Sequence, residues 1–554
     1  MSETMFRVTV LDKTGTYPIG TPYGEIIKEL APEELEDTML VLVNGTLREL
    51  HKPLLADCRI ELVSRCSEIG RGTYRRSLNY LFFKAFRDVT GTDGSIRAAL
   101  CFANHNGMYY SLSGIETSDS LAEKVRLRMK ELVESRQPIM KEKIKTHEAA
   151  KLFEQQGMTD KRDLFRFRRG SMVNTYHLED YIDYCYGFMV WHTGYLAYFD
   201  VAAYESGLIL VLPEASDGKT VLPFSPYPKV FQVQQLSEKW GDRQGIDKVA
   251  DLNRAITDQL FSQQMLVTEA LHESRVAEIA SDIERRGDVK FVMIAGPSSS
   301  GKTTFSRRLS IQLSAHGLVP HPLSLDNFYL DRAACPRDEN GEYDYESPDA
   351  LDVALILQTL ADLQKGKRVE IPYFNFLTGK PEYKGNFLQL HDEDIMVIEG
   401  IHGLNPRMSE GLPEGSVYRI YISSLTTLSI DAHNNIPTTD ARLLRRIVRD
   451  YYHRGTSACE TIERWASVRA GEEKYIFPNQ ERADAMFNSS LLYELSILKV
   501  YAEPLLYQVP TDRPAYLEAN RLLKFLDYFL GYPSEDVPKN SILREFIGGS
   551  CFDV

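Results

Sequence analysis

One short segment of the chain has residues of the types, and at the spacing, that hold phosphate groups. It runs from Gly296 to Thr303, reads GPSSSGKT and fits the pattern G-x-x-x-x-G-K-[ST]. In that pattern the glycines let the backbone close around phosphates, Lys302 reaches the β- and γ-phosphates, and the Thr303 hydroxyl holds Mg²⁺. The alternative is a chance match in a turn. The predicted phosphate-binding residues are Gly296, Pro297, Ser298, Ser299, Ser300, Gly301, Lys302, Thr303 and Thr304.

The residues on both sides of this loop predict the elements that must position it. Val289–Ala295 is a short apolar run, typical of a buried parallel strand. After the loop, Phe305, Leu309 and Leu313 recur at four-residue spacing on one face of a predicted helix over Thr304–His316. A strand, a turn and a helix N-terminus together aim backbone N–H groups at an anion. These flanks favour a nucleoside triphosphate site over a chance match.

Two acidic residues follow predicted strands in the same part of the chain. Asp326 comes after the strand Pro322–Leu325, and Glu399 ends the strand that begins with Ile395–Ile398. Ligands of open α/β sheets bind outside the carboxyl ends of the strands, so both carboxylates would face the phosphates. Asp326 would accept the proton of an attacking hydroxyl, and Glu399 would hold Mg²⁺. The alternatives are a capping or turn aspartate and a solvated strand-end glutamate.

An arginine-rich segment predicts a cationic helix. It spans Thr439–Arg454 and places Arg442, Arg446 and Arg449 on one face. Guanidinium groups suit polyphosphate because they present paired planar donors and stay charged. Such a helix would close over the γ-phosphate and exclude water. The same spacing is also that of a solvated stripe, and the segment by itself favours this alternative.

The composition predicts a globular protein of several domains. The 554 residues suffice for three or four of them. No apolar stretch approaches the ~20 residues of a membrane span, and the N-terminus lacks the apolar core of a signal peptide. The seven cysteines form no C-x-x-C pair, so we expect free thiols, no zinc site and a cytoplasmic location. A net charge of −14 disfavours broad nucleic-acid binding.

The chain is predicted to have five segments and to be of mixed α/β and α+β class. The first has two strand-like runs that turn at Gly15, then a helix, then further strands with an Asn44-Gly45 turn signal. In the connector, a helical stretch covers Gly245–Arg286. The segments are 1–64, a small α+β module; 65–212, a second α+β domain; 213–288, a helical connector; 289–506, a nucleotide-binding domain with a doubly wound parallel sheet; and 507–554, a C-terminal extension.

The first two segments resemble modules of threonyl-tRNA synthetases. Segment 1–64 resembles the TGS domain, a ubiquitin-like β-grasp module, and 65–212 resembles the second N-terminal domain through HEAAKLFEQQG and YIDYCYGFMVWHTG. The editing site of that domain uses an H-x-x-x-H and a C-x-x-x-H pair, which align with Thr73 and Ser77 and with Cys185 and Met189. A site that needs imidazoles cannot operate with Thr, Ser and Met. We expect no editing chemistry, and a buried core cysteine in preference to a nucleophile.

The region from Val289 to about Leu506 resembles the uridine kinase and phosphoribulokinase family. Six motifs recur in order: GPSSSGKTTF, SLDNFYLDR, YESPDALD, VEIPYFNF, VIEGIH and RLLRRIVRDYYHRG. The complete arrangement resembles bacterial nucleoside kinases of the uridine kinase type. The resemblance implies ATP and Mg²⁺, with Asp326 as general base, Lys302 as the second catalytic residue, and Thr303 and Glu399 around the metal. It also implies phosphate contacts from Arg449 and Arg454, and substrate contacts from Asp326, Tyr329, Glu346, Phe374 and Arg446.

The departures from the family pattern concern the acceptor side. Glu346 stands where uridine–cytidine kinases have the aspartate that holds the ribose hydroxyls, so a carboxylate is kept on a longer arm. Phe374 and Gly379 stand where those kinases use a tyrosine and a histidine to bind the base. Thr456 stands where the arginine-rich segment of those kinases, their lid, has a further arginine. A site without the matching partners cannot select a base in the same way. We predict phosphoryl transfer to a hydroxyl, with the 5′-OH of a nucleoside favoured and the base undetermined.

Two other functions remain open at this point. The N-terminal modules could bind tRNA or the ribosome while the ATP site acts as a switch, with a basic surface from Arg71, Arg75, Arg76 and Lys141–Lys145, although a solvated face accounts for these residues as well. A GTPase is disfavoured because the chain has no N-K-x-D segment to read guanine. The sequence leaves open whether the chain forms a homo-oligomer.

Overall fold

A computed structural model describes residues 4–91, 94–337, 341–376, 378–413 and 415–553. The chain divides into two compact units. The first contains residues 1–227, 248–250 and 429–435, and the second contains residues 228–247, 251–428 and 436–554. Residues 1–3 of the first predicted segment and residue 554 of the last lie outside the described residues. The five predicted segment boundaries stay predictions.

The first unit has mixed helices and strands. Its strands are β1 (Met5–Val10), β2 (Lys13–Pro18), β3 (Thr38–Val43), β4 (Thr46–Arg48), β5 (Cys58–Ser64), β6 (Arg97–Asn104), β7 (Gly107–Ser113), β8 (Met140–Lys145), β9 (Met172–Leu178), β10 (Tyr181–Tyr184), β11 (Asp200–Tyr204) and β12 (Gly207–Val211). Its helices are α1 (Tyr23–Leu30), α2 (Glu68–Thr90), α3 (Asp119–Glu134), α4 (Thr146–Gln155) and α5 (Thr159–Arg166). The strands form sheets of order β2-β1-β5-β3-β4, β10-β9-β8 and β11-β12-β7-β6.

The N-terminal turns differ in part from the prediction. The Asn44-Gly45 turn is confirmed: both residues have positive φ, and they join the antiparallel pair β3 and β4. The predicted turn at Gly15 is wrong, because Gly15 pairs with Val8 inside β2 and the chain turns before it, at Leu11. A side chain on Gly15 would lie 2.6 Å from the ring of Tyr17. Glycine is needed at this position because it leaves space for the Tyr17 ring. In the sequence alone, the same glycine indicated a turn.

The four residues that align with the two editing-site pairs are buried, and Ser77 is hydrogen-bonded within the unit. The Ser77 hydroxyl donates to Thr73 O at 2.8 Å and accepts from the backbone N–H of Val190 at 3.0 Å. Met189 lies beside it, with Sδ 3.6 Å from Ser77 Oγ. Burial raises the pKa of the Cys185 thiol to about 12, so the residue is a buried thiol and not a thiolate nucleophile.

Two members of the predicted basic surface are engaged inside the first unit. The Lys141 ammonium lies 3.1 Å from the carboxylate of Glu49, which is almost fully buried. A guanidinium nitrogen of Arg76 donates to the carbonyl of Phe188 at 2.7 Å. Both cations therefore make contacts within the first unit.

The chain from residue 228 onward supplies the second unit and a short excursion. Its helices are α6 (Pro228–Gln244), α7 (Val249–Thr257), α8 (Phe261–Arg286), α9 (Lys302–Ala315), α10 (Val353–Gln364), α11 (Thr438–Arg454), α12 (Ala458–Gly471), α13 (Glu494–Leu506), α14 (Ala515–Leu526) and α15 (Arg544–Ile547). Its strands are β13 (Phe291–Ala295), β14 (Val319–Ser324), β15 (Val369–Glu370), β16 (Tyr373–Asn375), β17 (Lys380–Glu382), β18 (Phe387–Leu388), β19 (Asp394–Glu399), β20 (Val417–Ser423), β21 (Ser429–Asp431), β22 (Asn434–Asn435) and β23 (Ala485–Asn488).

A five-stranded parallel sheet of order β14-β19-β13-β20-β23 forms the centre of the second unit. This confirms the predicted parallel α/β sheet. Phe305, Leu309 and Leu313 of α9 are completely buried, as their spacing predicts. The predicted helical stretch Gly245–Arg286 is divided into α7 and α8, whose junction contains Gln259 with positive φ. That conformation ends a helix, and sequence periodicity does not reveal it.

The excursion β21 to β22 belongs to the first unit, although its neighbours in sequence belong to the second. There the His433 ring stacks on Phe83 with ring centroids 3.7 Å apart. Its Nδ1 lies 2.7 Å from Lys161 Nζ and 2.5 Å from Asp183 Oδ2, and Lys161 is completely buried. This network holds the excursion in place by hydrogen bonds and stacking that lie within the first unit.

Among the described residues, the structure has no helix whose length and apolar character would let it cross a membrane.

Candidate functional site

The predicted phosphate loop joins β13 to α9 with little space to spare. A side chain at Gly296 would lie 2.0 Å from the carbonyl oxygen of Ile422, and one at Gly301 would lie 2.5 Å from a methyl group of Ile542. Gly301 also has a φ of 84°, which glycine adopts without strain. Because α9 begins at Lys302, its first-turn N–H groups have no partner within the helix and face the loop. The loop has the shape and the donors of an anion site.

Polar groups in this loop are left for a ligand to satisfy. In the described part of the chain, the buried hydroxyls of Ser299 and Ser300 have no hydrogen-bond partner. The Lys302 ammonium donates to the loop carbonyls of Gly296 at 3.0 Å and Pro297 at 3.2 Å. A phosphate would supply acceptors to the hydroxyls and a charged partner to the ammonium. The residues therefore fit a polyphosphate.

The arginine helix α11 is not the solvated stripe that its spacing favoured. Arg442 is almost fully buried, forms an ion pair with Glu472, and donates from Nε to the carbonyl of Ser298 at 3.0 Å. The other oxygen of Glu472 is 2.9 Å from Arg469, and its Oε1 accepts from the backbone N–H of Ser298 at 3.0 Å. These groups hold one side of the phosphate loop in a fixed position.

Arg445, also on α11, holds the next residue of the loop. It is fully buried and paired with Glu494, and it donates to the carbonyls of Ser299 at 3.3 Å and Ser489 at 2.8 Å. Burial raises the pKa of Glu494, and Arg445 opposes that shift. The pair is therefore a structural support for the loop, and sequence analysis assigned Arg445 no role.

Replacing Arg445 with Met is expected to destabilise the protein by about 3–5 kcal/mol, because Glu494 would be left buried without its partner. The measurement is urea unfolding of the full chain at neutral pH. Arg464, an exposed arginine of α12, provides the control, and Arg464→Met is expected to change the unfolding free energy by less than about 0.5 kcal/mol. Equal stability of the two variants would contradict the prediction.

Parallel pairing brings the two predicted carboxylates together. Ser324 of β14 stands opposite Glu399 of β19, and Asp326 follows two residues later. Burial and then the neighbouring Asp326 carboxylate raise the pKa of Glu399 to about 7, while Lys302 opposes the shift. Burial also raises the pKa of Asp326, against Lys302 and then Arg454. Both carboxylates and the loop ammonium thus share one electrostatic environment at the carboxyl end of the sheet.

The other three predicted arginines of α11 lie close to Asp450, a carboxylate of the same helix. Arg446 donates from Nη1 to the hydroxyl of Ser298 at 2.9 Å and from Nε to Asp450 at 3.2 Å. Arg449 is mostly buried, and burial lowers its pKa to about 10. Arg454 is more than half exposed and lies 3.3 Å from Asp450. The cations therefore converge on one carboxylate at the edge of the loop.

Two of the predicted acceptor residues, Tyr329 and Phe374, lie in an aromatic cluster with Phe376. The ring of Tyr329 lies 5.6 Å from that of Phe374 and 6.4 Å from that of Phe376, measured between centroids. Glu346 lies near Tyr329, with which it interacts electrostatically. It packs closely against Gly471, where a side chain would lie 2.4 Å from the Cβ of Glu346. Burial raises the pKa of Glu346 to about 7, against the effect of Arg446.

Within the described residues, no group of three or more His, Cys, Asp or Glu side chains is placed to hold a metal ion. Magnesium sites in phosphoryl-transfer enzymes rely on one or two protein ligands together with phosphate oxygens and water. The predicted pair of Thr303 and Glu399 is a set of that kind. Its hydroxyl and carboxylate oxygens fit the chemistry of Mg²⁺.

Comparison with known proteins assigns this site to a family. Residues 291–492 match the model of the phosphoribulokinase/uridine kinase family. Uridine kinase from Staphylococcus aureus (strain JH9) is 30% identical over 192 residues, which are 34% of this chain and 83% of that protein. The chain belongs to the phosphoribulokinase/uridine kinase family. It is a phosphotransferase with an alcohol acceptor, and membership implies ATP and Mg²⁺.

Two solved structures are more distantly similar to this chain. A possible uridine kinase from Bacillus stearothermophilus is 19% identical, covers 36% of this chain and 89% of its own, and has a TM-score of 0.25. D-glycerate 3-kinase from Cryptococcus neoformans is 14% identical, covers 37% of this chain and 89% of its own, and has a TM-score of 0.28.

The sequence predicted no role for three residues that the fold brings to this kinase site. Glu472 binds the backbone of the loop, and Glu545 accepts hydrogen bonds from Thr304. His402 is almost fully buried, and burial lowers the pKa of its imidazole to about 4. Of the three, only His402 carried a sequence signal, because it is the last residue of the motif VIEGIH.

Proposed function

We propose that the protein transfers the γ-phosphoryl group of ATP to a substrate hydroxyl, most simply the 5′-OH of a nucleoside. One observation carries this proposal: the register of β14 and β19 brings Asp326 and Glu399 together, and both carboxylates interact electrostatically with Lys302 of the phosphate loop. A proton acceptor, a metal ligand and a phosphate-binding cation are the parts that phosphoryl transfer to an alcohol requires.

In this proposal each residue has one task. Asp326 accepts the proton of the attacking hydroxyl, which makes the oxygen more nucleophilic as it approaches phosphorus. Lys302 leaves the loop carbonyls to bind the β- and γ-phosphates, and Arg449 neutralises charge that develops during transfer. Thr303 and Glu399 would hold Mg²⁺, and the ion would supply positive charge that reduces the repulsion among the phosphate oxygens. The rigid loop orients these groups before reaction, so less reorganisation is needed.

The predicted acceptor residues suit a ligand that has hydroxyls and a flat apolar part. Glu346 would accept hydrogen bonds from two neighbouring hydroxyls, as a ribose presents. The rings of Tyr329 and Phe374 would stack against a base. Phe374 offers no hydrogen bond to a base, and the side chain of Arg332 already packs over Gly379. We therefore propose a nucleoside acceptor whose base is selected by shape more than by hydrogen bonds.

The raised pKa of Glu346 gives a pH dependence. Below about pH 7 its carboxyl is largely protonated and accepts fewer hydrogen bonds; above that pH it is a carboxylate. The KM for the acceptor is therefore expected to fall as the pH rises from about 6 to about 8. Initial rates at saturating ATP check this, with Glu346→Gln as the comparison. A slope that persists unchanged in Glu346→Gln would assign the titration to another group.

We propose that the N-terminal part either supports the kinase domain structurally or binds RNA. We propose that residues 1–64 form a TGS-like module, since α1 packs with a five-stranded sheet in which β1 and β5 are parallel and central. Residues 65–212 would be a synthetase-like domain without editing activity, consistent with the buried thiol of Cys185. Cytoplasmic location, RNA binding and self-association remain proposals.

An acceptor screen tests the proposed function. ATP consumption by the full chain would be measured with Mg²⁺ against nucleosides, ribose sugars and polyols, with Asp326→Asn in parallel. A nucleoside that stimulates turnover in the wild type and not in the variant would support the proposal and identify the acceptor. ATP binding without turnover on any nucleoside would contradict it and favour a switch function.

A further inference from the structure

A carboxylate from the C-terminal extension already occupies two donors of the phosphate loop. Glu545 Oε2 accepts a hydrogen bond from the backbone N–H of Thr304 at 3.1 Å and one from its hydroxyl at 2.9 Å. Thr304 is completely buried and Glu545 is 8% exposed. Thr304 is also one of the residues predicted to bind phosphate. Its two donors are thus held by a negatively charged group of the protein itself.

The segment that carries Glu545 packs against the loop before this contact and against Arg445 of α11 after it. Ile542 lies against Gly301, leaving no space for a side chain there. The ring of Phe546 lies under the guanidinium of Arg445, 5.0 Å from its central carbon. Ile542 and Phe546 are completely buried. Since Glu545 lies beyond the residues 291–492 that match the family, this contact is an addition to the kinase domain.

A carboxylate and a phosphate compete for the same donors at this position. The first turn of α9 offers N–H groups that have no partner within the helix, together with the positive end of the helix dipole, and either anion is stabilised there. Thr304 has one N–H and one hydroxyl proton, and both are directed at a single oxygen of Glu545. Two negative groups a few ångströms apart repel each other strongly in a buried site. Phosphate can reach Thr304 only after Glu545 has moved away.

We propose that Glu545 is an internal competitor of the ATP phosphates and that the C-terminal segment thereby sets the affinity for nucleotide. ATP binds the fraction of molecules in which Glu545 has released Thr304, so the measured dissociation constant is the intrinsic one divided by that fraction. This inference rests on the proposed function, because the competing anion is a phosphate of ATP.

The test compares the affinity for ATP between variants of the full chain. Calorimetric titration with MgATP is expected to give about tenfold tighter binding to Glu545→Gln than to the wild type, since a neutral amide competes less well than a carboxylate. Glu545→Ala is expected to bind at least as tightly. Glu535→Gln, which alters an exposed carboxylate of the same extension, is the control and is expected to bind as the wild type does.

The kinetic readout separates competition from a merely structural role. A competitor predicts a lower KM for ATP with little change in kcat, whereas a structural cap predicts a less stable enzyme without tighter binding. ATP binding to the wild type with no gain in Glu545→Gln would overturn this inference alone. Absence of ATP binding in the wild type and in both Glu545 variants would overturn it together with the proposed function. ATP binding that appears only in the Glu545 variants would support it.

Discussion

Asp326→Asn is expected to lower kcat by about 10²- to 10⁴-fold, which is the usual contribution of a general base. Asparagine has nearly the same shape, but its amide cannot accept the proton of the substrate hydroxyl. Affinity for ATP is expected to be kept, because the change removes a negative charge beside the phosphates. The measurements are kcat with the nucleoside identified by the acceptor screen and the ATP dissociation constant from calorimetry.

Asp392→Asn is the matched control for this variant, since Asp392 is an exposed aspartate of the same domain. It is expected to leave kcat and ATP affinity at their wild-type values. Near-normal turnover of Asp326→Asn would remove Asp326 from the role of base. A parallel loss of ATP binding would assign Asp326 to the metal or to the integrity of the loop.

Lys302→Ala is expected to lower kcat/KM for ATP by at least about 100-fold, as loss of a preorganised cation at a phosphoryl site does. In contrast to Asp326→Asn, this variant is also expected to bind ATP more weakly. The reason is that the proposal makes Lys302 the cation that binds the β- and γ-phosphates. Burial lowers the pKa of Lys302, and the carboxylates of Glu399 and Asp326 oppose that shift. Steady-state kinetics and calorimetry with MgATP measure both effects.

The control for the lysine variant is Lys365→Ala, which removes an exposed ammonium from the end of α10. Circular dichroism and thermal unfolding would establish that Lys302→Ala is folded before its kinetics are compared. Unchanged kcat/KM in a folded Lys302→Ala would refute the assignment of the loop as the ATP site. Together, the two catalytic variants separate loss of ATP binding from loss of proton transfer.

Several parts of the kinase site could be predicted because their signals are local in sequence. The phosphate loop is contiguous, so its glycines, Lys302 and Thr303 need no distant partner to be recognised. The strand before it and the helix after it follow from apolar spacing over a few residues. Asp326 and Glu399 each follow a short apolar strand, and parallel strands bring their carboxyl ends to one edge of the sheet.

Other expectations failed where one local pattern had two physical meanings. Gly15 looked like a turn residue, but its lack of a side chain makes room for a tyrosine ring two residues away. Arg442, Arg446 and Arg449 have the spacing of a solvated face, yet Arg442 is buried in an ion pair with Glu472. Periodicity gives the face on which a side chain lies; it does not give what covers that face.

The local patterns of the sequence predicted the parallel α/β kinase domain and named candidate residues for its ATP site. Tertiary structure alone decided which side chains from distant parts of the chain contact that site. Arg445 meets Glu494 across 49 residues of chain, and Thr304 meets Glu545 across 241. Contacts of that separation depend on how helices pack around the sheet, and no spacing of residue types within a short window encodes them.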